Sequence, residues 1–504
     1  MNLINNKLLI YIVAFNHEKF ITSLLSRIPK DLSNKYHVEI LINDDYSSDD
    51  TFKKSSEFIK KTNNKLKFRI LSNPINQGYG GNQKIGYHYA IKNNFDYVAL
   101  LHGDGQYAPE YLENLIEPLK SDNVDAVFGS RMITKGAAIK GGMPLYKFIG
   151  NKILTNFQNF ILSSSLSEFH SGYRVYKVKS LKKIPFQINS NDYSFDTEII
   201  IQLLIAKLKI KEIPIPTYYG DEISYVNGIK YAFQITMETL KAKLQNLGLF
   251  YERKFDCKVE DEKNYVNKDN FYSTHSEILK VVKRDSNVLD IGCNEGHIGD
   301  LLRDKKNCKV TGIDKIKNIN ISLDEYIQHD LNLGVPSINY SKYDYILILD
   351  LIEHLNSPEK FLEDLKNKLK NNIQLQIIIT TPNIAFFIIR IMLLFGQFNY
   401  GKRGILDQTH TRLFTFSTLK RLITQSDFML VSSKGIPAPF PLAIGNNFFS
   451  KSLTNLNIFL IKISKSLFSY QIMYKIKPNT SLDQLIDEAH KKSEKITLDI
   501  RKDK

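Results

Sequence analysis

The sequence predicts an α/β protein built from two doubly wound, mostly parallel sheets in tandem. Three observations predict it. Residues 8–130 alternate short apolar runs, each ending in a polar loop, with stretches of helical character; such a β-α-β-α rhythm packs as a parallel sheet covered by helices. A second series of the same kind starts afresh at Asn287. Between them lies a charged stretch poor in both patterns, Glu252 to Asn270 (ERKFDCKVEDEKNYVNKDN), which has the composition of a linker. The expected organisation is therefore a first domain over 1–251, a linker over 252–270 and a second domain over 271–504 with a C-terminal extension.

The strands expected in the first series are Leu8–Phe15, Val38–Asn43, Lys67–Ser72, Asp96–Leu101 and Val124–Phe128, with helices over Asp50–Lys61 and Gly81–Asn93 between them. The rhythm blurs after residue 140 and stops near Phe250. In the second series the strands are Asn287–Ile291, Lys309–Ile313, Tyr345–Leu349 and Gln374–Thr380. In sheets of this kind ligands gather beyond the carboxyl ends of the strands, which is where the polar clusters of both halves lie.

Composition sets bounds. A chain of 504 residues allows two to four domains at roughly 100–200 residues each. With 43% hydrophobic and 24% charged residues it can bury sizeable cores. Cys257, Cys293 and Cys308 show no paired metal spacing and are too few for a disulfide framework, which favours a reducing, cytoplasmic setting. The start, MNLINNKLLIYIVAFNHEKF, does not read as a signal peptide, and no apolar run is long enough for a clear spanning helix. Ile384–Phe398, interrupted by Arg390, and Leu456–Phe468, punctuated by Lys462 and Lys465, are instead candidates for elements that touch a membrane surface; a lid or core helix is the other reading of each. The net charge of +15 suits an anionic partner. Trp is absent and there is no basic-aromatic motif, so nucleic acid is not expected.

The first strand ends in Phe15-Asn16-His17-Glu18 and the second in Asn43-Asp44-Asp45, followed by Tyr46-Ser47-Ser48-Asp49-Asp50-Thr51. Carboxylates at strand ends can accept hydrogen bonds from a nucleobase or ribose, and the Ser-Asp-Asp-Thr run can also cap the next helix. In Asn76-Gln77-Gly78-Tyr79-Gly80-Gly81-Asn82 the glycines permit close backbone approach, of a ligand or within a plain turn. Strand four runs into His102-Gly103-Asp104-Gly105-Gln106, whose alternate oxygen donors suit a divalent cation of the Mg²⁺ or Mn²⁺ class.

The ordered set AFNHE, NDDYSSDDT, NQGYGG, HGDGQ, GSR and SGYR resembles the family 2 glycosyltransferases, in the dolichyl- or polyprenyl-phosphate mannosyltransferase-like branch, over about residues 7–230. The resemblance implies a GT-A-like domain, a nucleotide-diphospho-sugar donor, Mg²⁺ or Mn²⁺, inversion at the anomeric carbon, and polyprenyl phosphate or a lipid-linked glycan as the acceptor class. Carried over by position, it places Phe15, Asn16, Glu18, Asp44, Asp45 and Gly78 on the nucleotide sugar, Asp104 and Gln106 on the metal, and Arg131 and Arg174 on the phosphates. The family's usual D-x-D-x-Q begins here with His102, which becomes a third candidate ligand. A lipid-phosphate acceptor needs no general base, whereas a sugar hydroxyl does; Asp196 and Glu198 are then candidates, and polar residues opening a helix over Glu198–Lys207 are the alternative. Glu222, near Tyr218 and Tyr219, is a further candidate for the acceptor side.

In the second half, Val288-Leu289-Asp290-Ile291-Gly292-Cys293-Asn294-Glu295-Gly296 reads as a strand, a glycine-bearing turn and a helix start, and Asp314 sits at the tip of the next strand. A dinucleotide-binding dehydrogenase also carries an acid about 20 positions on. What separates the readings is the remainder: His329-Asp330-Leu331, the run Tyr343 to Leu355 with Asp350, and Thr380-Thr381-Pro382-Asn383 resemble class I S-adenosylmethionine-dependent methyltransferases, and Gly396-Gln397-Phe398 with Gly404 to Thr415 is similar to a subgroup of surface-polysaccharide synthesis. The resemblance spans about residues 270–435 and implies a Rossmann-like fold in which Asp290, Gly292, Asn294, Gly296, Asp314, Asp330 and Asp350 contact S-adenosylmethionine. Asn294 replaces the usual middle glycine; His354 and His410 are candidate bases or structural histidines. The combined expectation is a bifunctional enzyme of cell-surface glycan assembly on the cytoplasmic side of a membrane. The alternative is a methyltransferase whose first half is a degenerate nucleotide-sugar-binding or membrane-docking module.

Overall fold

The computed structural model describes residues 6–62, 66–121, 123–219, 227–248, 250–257, 271–317, 323–369 and 375–479, with a few residues between 486 and 493. The chain divides into two compact units, Met1–Gln245 with Tyr251–Asn264, and Asn246–Phe250 with Tyr265–Lys504.

The first unit contains a seven-stranded sheet of β1 (Lys7–Ala14), β2 (His37–Asp44), β3 (Lys67–Ser72), β4 (Tyr97–His102), β5 (Ala126–Ser130), β6 (Arg174–Lys177) and β7 (Ile210–Pro214), in the order β3-β2-β1-β4-β6-β5-β7. Strands β1 to β4 pair in parallel, as the rhythm predicts. The sheet is not parallel throughout, because β6 runs antiparallel to both β4 and β5. Alternate residues of the central strands enter separate cores: Leu8, Ile10 and Ile12 on one face, Leu9, Tyr11 and Val13 on the other. Burial on both faces is why these strands read as continuous apolar runs.

The second unit repeats the plan with β8 (Asn287–Ile291), β9 (Lys309–Asp314), β10 (Glu325–Gln328), β11 (Tyr345–Leu349), β12 (Gln376–Pro382), β13 (Phe428–Ile436) and β14 (Gln471–Pro478), ordered β10-β9-β8-β11-β12-β14-β13. Strands β8 to β12 pair in parallel, and β14 is antiparallel to both β12 and β13. Its cores likewise divide Leu289 and Ile291 from Val288 and Val310.

The described part of the charged stretch belongs to the first unit. Residues 253–255 form a short 3-10 turn, Phe255 packs with Ile201 and Ala242, and Lys254 pairs with Glu198, Glu238 and Glu252. The remainder of the stretch, and Glu222, lie outside the described residues. Among the described residues no helix is long and apolar enough to cross a membrane.

Candidate functional sites

Each sheet has one point where successive connections leave in opposite directions: between β1 and β4 in the first unit and between β8 and β11 in the second. Crevices at such points are where doubly wound sheets bind ligands.

Beyond β1 and β2 the two loops are laced together. Asn16 takes a left-handed conformation, donates its N–H to Ser47 Oγ at 2.8 Å and accepts from the Ser48 N–H at 2.9 Å. The Glu18 N–H meets Asp49 at 3.0 Å, and the Asp50 N–H meets Glu18 at 3.2 Å. The Ser48–Thr51 run therefore braces the Asn16–Glu18 loop, and Asp50 at the helix start makes no side-chain cap. Asp44 and Asp45 are both buried at the end of β2. Asp44 accepts from Ser47 and Ser72, and Asp45 from Asn73 at 2.7 Å and the Gln77 N–H at 2.8 Å.

At the end of β4, Asp104 accepts the Gln106 N–H at 3.0 Å, so the backbone turns the two side chains into one short loop. His102 stands edge-on between Tyr79 and Tyr107, with Nε2 at 3.3 Å from the Tyr79 hydroxyl. One of its nitrogens is thus committed to the protein, and burial lowers its pKa. Burial lowers that of His17 as well, against the nearby Asp104 charge; a Cβ on Gly103 would lie 2.6 Å from the His17 ring.

Three expectations change here. Gly78 has φ of +77°, but the atom closest to a Cβ there is the Asn191 carbonyl oxygen, at 2.6 Å. The close approach that glycine permits on its Cβ side is made by the chain's own 190–192 loop. Arg174 is wholly buried, and its guanidinium donates to the carbonyls of Ser171 (2.9 Å), Phe169 (3.0 Å) and Asp196 (2.9 Å). Arg131 is buried against Glu168, which accepts from its side chain and, at 2.8 Å, from its backbone N–H; its other donors reach Tyr219 (3.1 Å) and the His170 carbonyl (3.1 Å). Both arginines position neighbouring groups instead of presenting free forks to a phosphate. Asp196 lies in the first turn of the helix Phe195–Ile205 and accepts from Tyr79 (2.8 Å), Gln83 (3.2 Å) and Arg174 (3.3 Å).

Glu168 and Tyr79 were not legible as site residues. Glu168 stands three positions before the SGYR motif, and nothing in its neighbourhood marks it as the counter-charge of Arg131. Burial alone would raise its carboxyl, but the Arg131 charge and hydrogen bonds hold it below the ordinary range.

In the second unit Asp290 lies on β8, 1% exposed, and one of its carboxyl oxygens is buried without a hydrogen-bond partner. Burial, reinforced by the charge of Asp314, pushes its pKa up to about 7. Gly292 (φ +80°) and Gly296 (φ +86°) frame the turn, and Asn294 is accommodated in the left-handed region at φ +51°. Its N–H donates to Asp314 Oδ2 at 2.8 Å, joining the two strand ends. Asp330 is exposed and caps the 3-10 turn Leu331–Leu333 by accepting the Asn332 N–H at 3.0 Å. Asp350, in a left-handed conformation after β11, accepts from Thr380 (2.9 Å) and Gln471 (2.8 Å), which ties β11 to β12 and β14.

Comparison with known proteins now decides the family. Residues 9–185 match the family described as Glycosyl transferase family 2, and residues 266–433 match one described as Methyltransferase domain. An uncharacterized protein of Methanocaldococcus jannaschii is 30% identical over 241 residues, 47% of this chain and 93% of that protein. The chain belongs to glycosyltransferase family 2. A methyltransferase domain follows in the same polypeptide.

Another relative of this glycosyltransferase is the UDP-N-acetylglucosamine–dolichyl-phosphate N-acetylglucosaminyltransferase of Methanococcus voltae, 30% identical over 47% of this chain and 96% of that protein. Among solved structures, glucosyl-3-phosphoglycerate synthase of Mycobacterium tuberculosis with uridine diphosphate is similar over 47% of this chain and 79% of that one, at 14% identity and a TM-score of 0.37. The candidate glycosyltransferase residues lie about the carboxyl ends of β1, β2 and β4 and the candidate methyltransferase residues on or just beyond β8, β9 and β11, each set within its own unit.

Proposed function

We propose that the first unit transfers a sugar from a nucleotide-diphosphate donor to polyprenyl phosphate, and that the second methylates a hydroxyl of the resulting or a related cell-surface glycan. The observation that carries the first half is the placement of Asp44 and Asp45 at the carboxyl end of β2 and of Asp104 and Gln106 just beyond that of β4, with His17 near both Asp44 and Asp104. Asp104 and Gln106 offer the hard oxygen donors that Mg²⁺ or Mn²⁺ prefers, and the cation would neutralise the leaving diphosphate. Asp45, held by Asn73 and Gln77, faces the nucleoside. The commitments of Asp196 to Tyr79, Gln83 and Arg174 support an acceptor that arrives already anionic and needs no base. The dolichyl-phosphate relative supports the same acceptor class.

For the second half, the donor set fits S-adenosylmethionine. The unpartnered oxygen of Asp290 suits a cationic ligand, Gly292 at φ +80° permits the turn that follows it, and Asp314 at the β9 tip suits ribose hydroxyls. S-adenosylmethionine supplies the methyl group; Asp290 and Asp314 bind and orient it.

The deciding experiment is Mn²⁺-dependent donor turnover with polyprenyl phosphate. Asp104→Ala is expected to lower it by about 10²-fold or more, the scale lost with one transition-state electrostatic group. Turnover that is absent from the parent chain would favour the alternative, a nucleotide-sugar-binding or docking module, to which the burial of His102 among aromatic rings lends support.

Peripheral membrane contact is part of this reading. The helix Phe448–Ile463 leaves Phe448, Phe449, Leu456, Phe459 and Ile463 exposed, and the helix Phe387–Leu394 exposes Leu394 beside Phe395. With a basic chain these suit an anionic bilayer surface. Cosedimentation with phosphatidylglycerol vesicles is expected, weakened by Phe448→Ser with Phe449→Ser; protein that stays in the supernatant at low salt contradicts it.

A further inference from the structure

After β11 the chain passes Asp350 into the short 3-10 turn Ile352–His354, and the 405–412 segment returns beside it. The Thr411 and Arg412 N–H groups bond the Glu353 backbone carbonyl at 2.8 and 3.1 Å, fastening the two segments together. That bond leaves the Glu353 side chain unused. Glu353 is 1% exposed, and no partner meets either carboxylate oxygen at full hydrogen-bond geometry; the Thr381 hydroxyl and the charges of Asp350 and Asp407 lie near it.

The two nearest histidines are oriented by the backbone. His354 Nδ1 lies 3.1 Å from the Thr409 carbonyl and His410 Nδ1 lies 2.9 Å from the Ile405 carbonyl. A neutral imidazole that donates Nδ1–H to a carbonyl presents its lone pair at Nε2, the arrangement in which protein histidines bind metal. The two rings meet edge to face with centroids 4.8 Å apart. Among the described residues, one group of three such side chains converges: ligand atoms of Glu353, His354 and His410 all lie within 4.8 Å of one another.

An unpaired buried carboxylate is costly, and the two imidazoles near it are each already bonded through Nδ1 to a backbone carbonyl. A divalent cation satisfies all three. We propose that Glu353, His354 and His410 form a divalent transition-metal site beside the β8–β11 crevice of the second unit, and that the metal holds the oxygen of the hydroxyl to be methylated. Two imidazoles and one carboxylate suit Mn²⁺, Fe²⁺, Co²⁺ or Zn²⁺ better than Mg²⁺ or Ca²⁺, and three protein ligands leave positions open for substrate oxygen.

The role rests on the reading of this unit as an O-methyltransferase. The bound acceptor hydroxyl, acidified by the cation, loses its proton to bulk water. Its oxygen pair forms the O–C bond to the methyl carbon of the sulfonium, and the C–S bonding pair returns to sulfur, leaving a neutral thioether. The site thus selects acceptors whose hydroxyl can reach a metal, and sugars with a neighbouring second oxygen can chelate it.

The test uses the full chain carrying Asp104→Ala, so that the cation site proposed in the first unit does not contribute. After chelator treatment the protein is titrated with Co²⁺ and read by visible d–d absorption. The expected result is one equivalent bound, weakened at least about tenfold by Glu353→Gln and by His410→Ala, the scale of a lost ligand or supporting group. Equal Co²⁺ absorption in parent and variants, or none in any of them, overturns the proposal and leaves Glu353 a buried neutral acid. His410 is partly exposed, and His410→Gln provides a second variant should the alanine protein melt early. Binding of S-adenosylmethionine, measured alongside, separates the two readings. Co²⁺ without S-adenosylmethionine keeps the metal site and removes its role in methyl transfer, whereas S-adenosylmethionine without Co²⁺ removes the metal site alone.

Discussion

Asp290→Asn is expected to stabilise the unliganded second unit above neutral pH and, in the same protein, to weaken S-adenosylmethionine binding. The cause is one carboxyl group buried in apolar surroundings on β8, with an unpartnered oxygen and a pKa pushed from 3.8 to about 7. In the folded state it holds its proton up to that pH, whereas in the unfolded chain it releases it near 4. Between those values the native state binds more protons than the unfolded one, so stability falls as pH rises and levels off above about 7. The displacement corresponds to a loss on the order of 4 kcal/mol, which an amide, uncharged at every pH, does not suffer.

Hydrogen exchange across residues 287–314 at pH 5 and pH 8 reads the effect. The parent is expected to lose protection at the higher pH and Asp290→Asn to keep it. The ligand is a cation, so binding favours the ionised carboxylate. Losing a hydrogen bond to a charged group is worth about 1.5–3 kcal/mol, or roughly ten- to hundredfold in affinity. A variant that is destabilised equally at both pH values would show that Asp290 is already paired in the free protein.

Glu168→Ala is expected to destabilise the first unit by about 3–5 kcal/mol, because it leaves the buried Arg131 guanidinium without its counter-charge. Against a typical domain stability of about 5–15 kcal/mol this is a large fraction. The loss reaches beyond one ion pair. Glu168 also accepts from Asn151 at 2.8 Å, and Arg131 supports the His170 carbonyl in the segment that leads to Ser171 and Arg174. Urea unfolding measures the cost. The double variant Arg131→Met with Glu168→Leu is expected to recover much of it, since a buried pair replaced by apolar groups of similar size is often neutral. If the single and double variants unfold alike, the pair is not what holds this segment.

Most of the architecture was legible locally. Strands β3, β8 and β11 fall where the apolar runs place them, and β1, β2 and β4 deviate by one residue at each end. A strand buried on both faces must be apolar at consecutive positions, and the loops beyond it must be polar; both signatures lie within a few residues of chain. The motif acids Asp44, Asp45, Asp104, Asp290 and Asp314 were legible for the same reason, since each ends or closely follows one apolar run.

What local pattern did not carry was the partner of each charged or small residue. Arg131 and Arg174 read as phosphate ligands until Glu168 and the carbonyls of Phe169, Ser171 and Asp196 were seen to take their N–H groups. Gly78 read as a ligand cradle, and Asn191, more than a hundred residues later, fills that space. The reversed strands β6 and β14 depend on which edge a returning chain pairs with, and the run of apolar residues is the same for either direction. In the second unit Glu353 and His354 are chain neighbours, but His410 joins them only through the bonds that the 405–412 segment makes to Glu353. Sequence alone therefore established the family, the two-sheet plan and the acids at the strand ends, because these follow from composition and order along the chain. Tertiary structure decided which charges are paired, which glycines serve packing and which three side chains can share a cation, because those depend on residues that only folding brings within a few ångströms.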